Sequence, residues 1–169
     1  MSAMNLVAWT GRYSPAFANR IRRWYVSYLV PFNRAAGIRV AEVDAVRARF
    51  RVHLKDRHRN RNVAGTVHGG AILALAETIH GVAVLWTFAP DKHRMFTKTA
   101  HIEYLAPGRG ELSVEYCLSR NLRDRIEREL AERARSEVTM ESVVVDSRRK
   151  EIARLVATYV VLRPGTGNG

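Results

Sequence analysis

Hydrophobic and polar positions along the chain change period several times, and each change marks an element. From Ser14 to about residue 30, Phe17, Ile21, Trp24, Tyr25, Tyr28 and Leu29 recur at helical spacing with Arg20, Arg22 and Arg23 between them. Ser14 suits the N-cap, Pro15 suits the first helical position, and Pro31 is expected to stop the helix. From Gly37 the period shortens to two. Ile38, Val40 and Val43, then Val46, Ala48, Phe50, Val52 and Leu54, read as two strands, with Arg47, Arg49, Arg51 and His53 on the opposite face of the second. Residues 71–89 are apolar around nearly their whole circumference, so this helix is either buried in a core or spans a membrane.

Beyond a turn at Pro90–His93, the pattern predicts strands over 97–105 and 111–119 and a short charged surface helix over 124–134. Strands over 137–145 and 151–162 follow, and then a frayed tail from Pro164. A central helix with antiparallel strands on both sides in sequence is an α+β layer arrangement, in which the sheet must wrap the helix to bury it. No internal repeat or linker divides the chain. The expectation is one domain over 1–169, with a helical extension at 1–35 and a core at 36–163. The extension reads as a flap packed on the core in preference to a helix lying on a membrane.

Glu77 and His80 fall near the middle of the apolar run, where a lipid-facing span tolerates them poorly, so a buried core helix is expected. A carboxylate in such a place needs a partner or a shifted pKa. The structural reading of Glu77 is a pair with His80 or an arginine, and the functional reading is a general base. His68-Gly69-Gly70 opens the helix without bulky side chains. Bare N–H groups at a helix start attract negative charge or a polarised carbonyl oxygen. Glu77 lies about two turns beyond Gly69, so one substrate group reaches both only by lying along the helix or between two facing helices, which implies a dimer. Glu77-x-x-His80 has the spacing of a metal-binding pair, but no second such unit follows, so no metal is expected.

Charge and cysteine content narrow the picture. The chain carries 28 basic and 16 acidic residues, net +12, which favours an anionic partner. No interleaved basic and aromatic motif of the RNA-recognition kind is present, so nucleic acid is not expected. One cysteine, Cys117, and no secretory signal at the start fit a cytoplasmic protein.

The motif Asn62-Val63-Ala64-Gly65-Thr66-Val67-His68-Gly69-Gly70, followed by Leu75-Ala76-Glu77, resembles the hotdog-fold acyl-CoA thioesterases of the phenylacetate-pathway type. Thr97 to Tyr104-Leu105-Ala106-Pro107 and Gly110-Glu111-Leu112 continue the likeness, which spans about residues 38–162. Glu77 stands where this branch commonly has Asp. The helices at 14–30 and 124–134 look more like a bacterial hotdog branch without a settled activity. The resemblance implies a curved antiparallel sheet around the central helix and hydrolysis of an acyl-CoA or acyl-carrier thioester. A non-catalytic acyl-CoA or fatty-acyl binder is the alternative. It also implies roles: Gly69 polarises the carbonyl through its N–H, Glu77 is base or nucleophile, Asn62 orients water or thioester, and His68 shapes the helix start or acts as an acid. Gly70 and Thr97 would contact substrate. Arg109, with Arg57, Arg59 and Arg61, could meet the phosphates of coenzyme A, which enters as part of the substrate with no separate cofactor. The resemblance further implies a homodimer or dimer of dimers with shared active sites, and no stable membrane insertion.

Overall fold

The computed structural model describes residues 15–44, 47–88 and 93–163. In chain order the elements are α1 (Pro15–Trp24), a π-helical turn (Tyr25–Leu29), α2 (Pro31–Ala36), β1 (Ile38–Asp44), β2 (Arg49–Leu54), α3 (Gly69–Thr87), β3 (Arg94–Tyr104), β4 (Leu112–Cys117), α4 (Arg120–Arg133), β5 (Arg135–Asp146) and β6 (Glu151–Leu162). The strands form one antiparallel sheet in the order β1-β2-β4-β5-β6-β3. α3 lies against β2, β4, β5, β6 and β3, which is the hotdog arrangement expected from the sequence.

Alternation decides which face of the sheet meets the helix. Phe50, Val52 and Leu54 of β2, Leu112 and Val114 of β4, Val138, Met140 and Val144 of β5, and Leu155, Ala157 and Tyr159 of β6 are all buried. They pack with Ile72, Leu75, Ile79 and Val82 of α3, each at most 2% exposed. Burying side chains of this size contributes about 1.5–3 kcal/mol apiece. The helix is therefore a core helix, although it is long and apolar enough to cross a membrane. Ser142 Oγ, buried in β5, donates to the Ala76 carbonyl at 3.2 Å and ties the sheet to the middle of α3.

The N-terminal segment departs from the expectation of a single helix ended by Pro31. α1 gives way to the π-helical turn, and Pro31 opens α2 at its first position, where a missing N–H costs nothing. Gly37 ends α2 with φ +86°, a left-handed conformation that glycine adopts without a Cβ clash. Ser14, the expected N-cap, lies outside the described residues, as do Val46 and most of the Pro90–His93 turn, the end of the apolar run at Ala89, and the tail from Pro164. The segment packs as a flap. Asn33 is buried; its Nδ2 donates to Val26 O (3.1 Å) and its Oδ1 accepts from Thr78 Oγ1 of α3 (3.3 Å). Trp86 Nε1 of α3 donates to Asn19 Oδ1 at 2.9 Å.

The flap also covers one sheet edge. Val40 N of β1 donates to Ser27 Oγ (3.0 Å), and Arg23 donates to Ala41 O (2.7 Å). β3, at the other end, pairs with β6 alone, so its outer edge is open among the described residues. Several element boundaries differ from the sequence reading, among them the starts of β3 and α4. β3 begins three residues before Thr97. α4 begins at Arg120, four residues before the expected start, where Ser119 Oγ accepts from Leu122 N at 3.2 Å as its N-cap.

Candidate functional site

The start of α3 is set by the loop before it. Asn62 Oδ1 accepts from Ala64 N (3.0 Å) and Thr66 N (3.1 Å), its Nδ2 donates to Thr66 Oγ1 (2.9 Å), and its own N–H donates to Thr66 O (2.8 Å). The Asn62 amide thus holds the 62–66 turn closed. His68 follows as N-cap of α3. Its N–H donates to Asn60 O at 2.8 Å, and its Nδ1 accepts from Gly70 N at 3.0 Å, so the ring proton sits on Nε2. Ala71 and Ile72 donate back to His68 O. Gly69 N–H is left as the donor of this first turn with no bond among the described residues.

Tyr104, the last residue of β3, closes over that turn. Its hydroxyl donates to Gly69 O at 3.0 Å, and a Cβ on Gly69 would meet the ring at 3.2 Å. Burial pushes the Tyr104 phenol above its ordinary value, which keeps it a neutral donor. Asn62, Thr66, Gly69, Tyr104 and the 105–108 segment together line a cleft of about 400 Å³ at the helix start. Arg109 follows on the exposed loop whose Gly110 N donates to Asp56 Oδ2 at 3.0 Å. Among the other arginines named for phosphate, Arg61 pairs with Asp56 at 2.7 Å and Arg59 donates to Arg34 O at 3.1 Å.

Glu77 lies in a different cavity. It is partly buried, and its carboxylate accepts a hydrogen bond from the Thr97 hydroxyl. Pairing of β3 with β6 aims that hydroxyl: Thr97 pairs with Tyr159 just before a bulge, where Thr99 pairs with Thr158 and Lys98 is the extra residue. Thr97 therefore shares the inner face with buried Tyr159. The cavity holds about 550 Å³, and Glu77 and Thr97 are part of a mostly apolar lining. The apolar lining includes Gly81, Val82, Leu85 and Phe88 of and just after α3, Met95 and Phe96 of β3, Tyr159 of β6, and Tyr25, Val26 and Val30 of the N-terminal flap. The flap's part in this wall was not legible in sequence, because its aromatic residues fit a helix packed on any core.

His80 is not the partner of Glu77. The imidazole is fully buried, and its Nδ1 lies 2.8 Å from the Tyr159 hydroxyl. Burial holds His80 down to about 4, against a smaller opposing effect of the Glu141 backbone, so it is neutral. Burial also pushes the Tyr159 phenol well up, and the charge of Glu77 adds to this. The two residues of the Glu-x-x-His unit thus serve separate partners. Cys117 is exposed at the end of β4.

The structure brings Asn62, His68 and Gly69 together at the helix start and Glu77 with Thr97 two turns further on. Eight residues of helix put about 12 Å between the two groups along the axis. Gly70 N–H is engaged by His68, and Arg109 faces solvent.

Solved structures share this fold. The chain is similar to a Pseudomonas aeruginosa protein of unknown function, PA5026, described as a probable thioesterase, with a TM-score of 0.78 and 22% identity over 86% of this chain and 95% of that one. It is similar to OLEI01261 of Chlorobaculum tepidum, of unknown function, with a TM-score of 0.74 and 14% identity over 88% and 96% of the two chains. The Haemophilus influenzae thioesterase HI1161 follows the same course, with a TM-score of 0.68 and 16% identity over 89% and 94%. No curated protein matches the sequence. Residues 18–161 match the model of a domain of unknown function, DUF4442, and the chain is a member of that family.

Proposed function

We propose that the protein hydrolyses an acyl thioester, of coenzyme A or of an acyl carrier, to the free acid and thiol. One observation carries the reading: a carboxylate on an apolar core helix, Glu77, lines a mostly apolar cavity with a hydroxyl fixed on it. Such a cavity suits an acyl chain, and the carboxylate suits a water molecule to be activated. The hotdog fold shared with the neighbours described as thioesterases supports the same class of reaction.

In this mechanism water attacks the thioester carbonyl carbon and gives its proton to Glu77. The oxyanion so formed takes the unengaged Gly69 N–H at the start of a helix, where the dipole adds to the hydrogen bond. Collapse of the tetrahedral intermediate breaks the C–S bond, and the proton returns from Glu77 to the leaving thiolate. Since Gly69 and Glu77 of one chain are about 12 Å apart along α3, the reacting carbonyl sits between Gly69 of one copy and Glu77 of a second. The uncovered edge of β3, opposite the edge sealed by the flap, is the natural place for two copies to join.

Release of free thiol from short, aromatic and long-chain acyl-CoAs tests the reading, with Glu77→Gln beside the wild type and a substrate-free control for exposed Cys117. Turnover by the wild type that falls at least about a hundredfold in the variant supports it. Equal rates in the two proteins remove Glu77 from the mechanism. Non-catalytic acyl binding is the second reading, and one observation favours it: the Asn62 amide is spent on its own loop and is not offered to a water. Tight acyl-CoA binding without thiol release would establish that reading.

A further inference from the structure

The N-terminal flap carries a surface that the hydrolysis of a thioester does not use. Phe17, Trp24, Tyr28, Leu29 and Phe32 are all exposed, Phe32 by 61%, and they fall within sixteen residues. They make up half of the large hydrophobic side chains exposed among the described residues. Phe17, Arg20 and Trp24, at positions i, i+3 and i+7, share one side of α1, so the aromatic and basic groups are interleaved on the same face. Trp24 stacks on Tyr28 with ring centroids 6.5 Å apart, and the Arg39 guanidinium lies 4.3 Å over the Tyr28 ring.

Beside this patch, between the flap and the outer face of β1 and β2, runs a groove of about 860 Å³. Arg20, Arg23, Arg39, Arg51, Lys55 and Arg57 line it together with His53, and no Asp or Glu does. Arg23 and Arg39 are held by backbone carbonyls (Ala41 O at 2.7 Å, Ser27 O at 2.6 Å), which fix the guanidinium groups without neutralising them. Of these residues, His53 meets Glu111 (3.4 Å) and Arg51 meets Glu115 (3.8 Å), which lies closer to Arg149 (3.2 Å). Burial holds the His53 imidazole below its ordinary value; Glu111 works the other way, and the charges of Lys55, Arg51 and Arg39 lower it again.

We propose that this face docks on an anionic lipid surface, with the exposed aromatic side chains of the flap at the level of the headgroups and the basic groove on their phosphates. Charge and apolarity together select that occupant. A soluble polyanion in the groove would meet Trp24 and Tyr28, which help to line it, and would leave Phe17, Leu29 and Phe32 in water. A second copy meeting this face across a two-fold axis would cover the apolar side chains but set Arg20 and Arg23 against their own equivalents. A bilayer of anionic lipid satisfies both halves, and Trp and Tyr are the side chains that favour its interface. The docked face is also the back of the cavity wall. Tyr25, Val26 and Val30 line the apolar cavity, while Ser27 and Tyr28 of the same turn line the groove. An acyl chain leaving the lipid surface would thus meet the cavity across one layer of residues. The docking stands on this surface alone, whether or not the cavity hydrolyses a thioester.

Co-sedimentation of the full chain with phosphatidylcholine vesicles, with and without a third phosphatidylglycerol, tests the proposal. The expected result is binding roughly tenfold or more stronger to the anionic vesicles, weakened by salt. Trp24→Ser/Phe32→Ser should lose most of that binding, and so should Arg20→Glu/Lys55→Glu. These residues lie outside the proposed catalytic groups, so hydrolysis of a soluble thioester by either variant should match the wild type. No preference for anionic vesicles at low salt overturns the proposal. So does Trp24→Ser/Phe32→Ser turning a dimer into a monomer in sedimentation velocity, which would assign the face to a second copy. Displacement by inorganic pyrophosphate beyond the effect of matched ionic strength also overturns it, by making the groove a site for a small anion.

Discussion

The hydroxyl of Thr97 and the carboxylate of Glu77 meet across two elements, the strand β3 and the helix α3, and Thr97 is the last residue before a bulge at Lys98. Without the extra residue, the alternation of β3 would carry the residues after it to the opposite face. The hydroxyl donates, so the bond fixes one of the two Glu77 oxygens and leaves the other for a water. Replacing Thr97 by Val keeps the shape and removes the donor. A hydrogen bond to a charged group is worth about 1.5–3 kcal/mol, so kcat should fall roughly ten- to a hundredfold. The effect of Thr97→Val should largely vanish in the Glu77→Gln background, because both changes act on one group. Full additivity in that double-mutant cycle would separate Thr97 from Glu77.

The second prediction concerns cavity length. Gly81 lines the cavity one turn beyond Glu77, and a Cβ added there meets only Met95 Cε at 3.9 Å, an ordinary contact. Gly81→Leu should therefore be accepted by the fold. Helix propensity alone favours the change by about 1 kcal/mol. The new side chain would project into the space assigned to the acyl chain. The chain-length profile should shift to shorter acyl groups, through KM for long chains more than through kcat for short ones. An unchanged profile across the acyl-CoA panel would place the acyl group elsewhere.

These two sites differ in how far the sequence disclosed them. The apolar run with a lone carboxylate was visible because a buried charge breaks a pattern, and His68-Gly69-Gly70 was visible because two glycines at a helix start are unusual. The strands followed from alternation, as in Val138, Met140 and Val144 of β5. The Thr97–Glu77 bond joins a strand to a helix twenty residues away, and nothing in Thr97-Lys98-Thr99 announces which of the two threonines faces the helix or which residue is the extra one. The flap was legible as amphipathic, but spacing cannot say which surface it meets. Its docking depends on Asn33 and Ser27, polar residues that sequence reading passes over and that reach Thr78 and β1 from a distance along the chain. The Asx-type closure of the 62–66 loop by Asn62 is local, yet a catalytic reading of the same residue competes with it.

Two glycines near the helix start should respond in opposite ways. A Cβ on Gly69 would lie 3.2 Å from the Tyr104 ring, and Tyr104 is 49% exposed and can swing outward. Gly69→Ala should alter stability by no more than about 1 kcal/mol, since the gain in helix propensity offsets the lost Tyr104 bond. Its methyl group would crowd the unengaged N–H, so thioester turnover should drop while the fold persists. Gly108 is enclosed instead. A Cβ there would sit 2.9 Å from Leu112 Cδ1 and 3.2 Å from Ile72 Cδ1, both in the core. Gly108→Ala should cost about 1–3 kcal/mol as those side chains shift. Urea unfolding of the two variants checks the contrast; equal losses of stability would mean that Tyr104 cannot yield.

The His80–Tyr159 pair makes stability depend on pH in a definite direction. Burial depresses the His80 pKa in the folded protein to about 4, from an ordinary value of 6.5 in the unfolded chain. Between those values the unfolded chain binds the extra proton, so stability increases with pH there. The contribution is fully present above about 6.5 and is lost as pH falls towards 4. A difference of that size is worth about 3 kcal/mol. His80 is fully buried, so solvent screening reduces it little. Carboxylates also titrate at the acid end of this window, so the wild-type curve alone does not isolate the histidine. His80→Asn retains a polar group facing the Tyr159 hydroxyl and removes the titration. Its unfolding free energy should be lower than that of the wild type near neutrality and should fall less steeply on acidification, so that the two curves converge near pH 4. Parallel curves over the whole range would mean that His80 titrates at its ordinary value in the folded protein, and that its burial against Tyr159 is not as closed to water as the packing indicates.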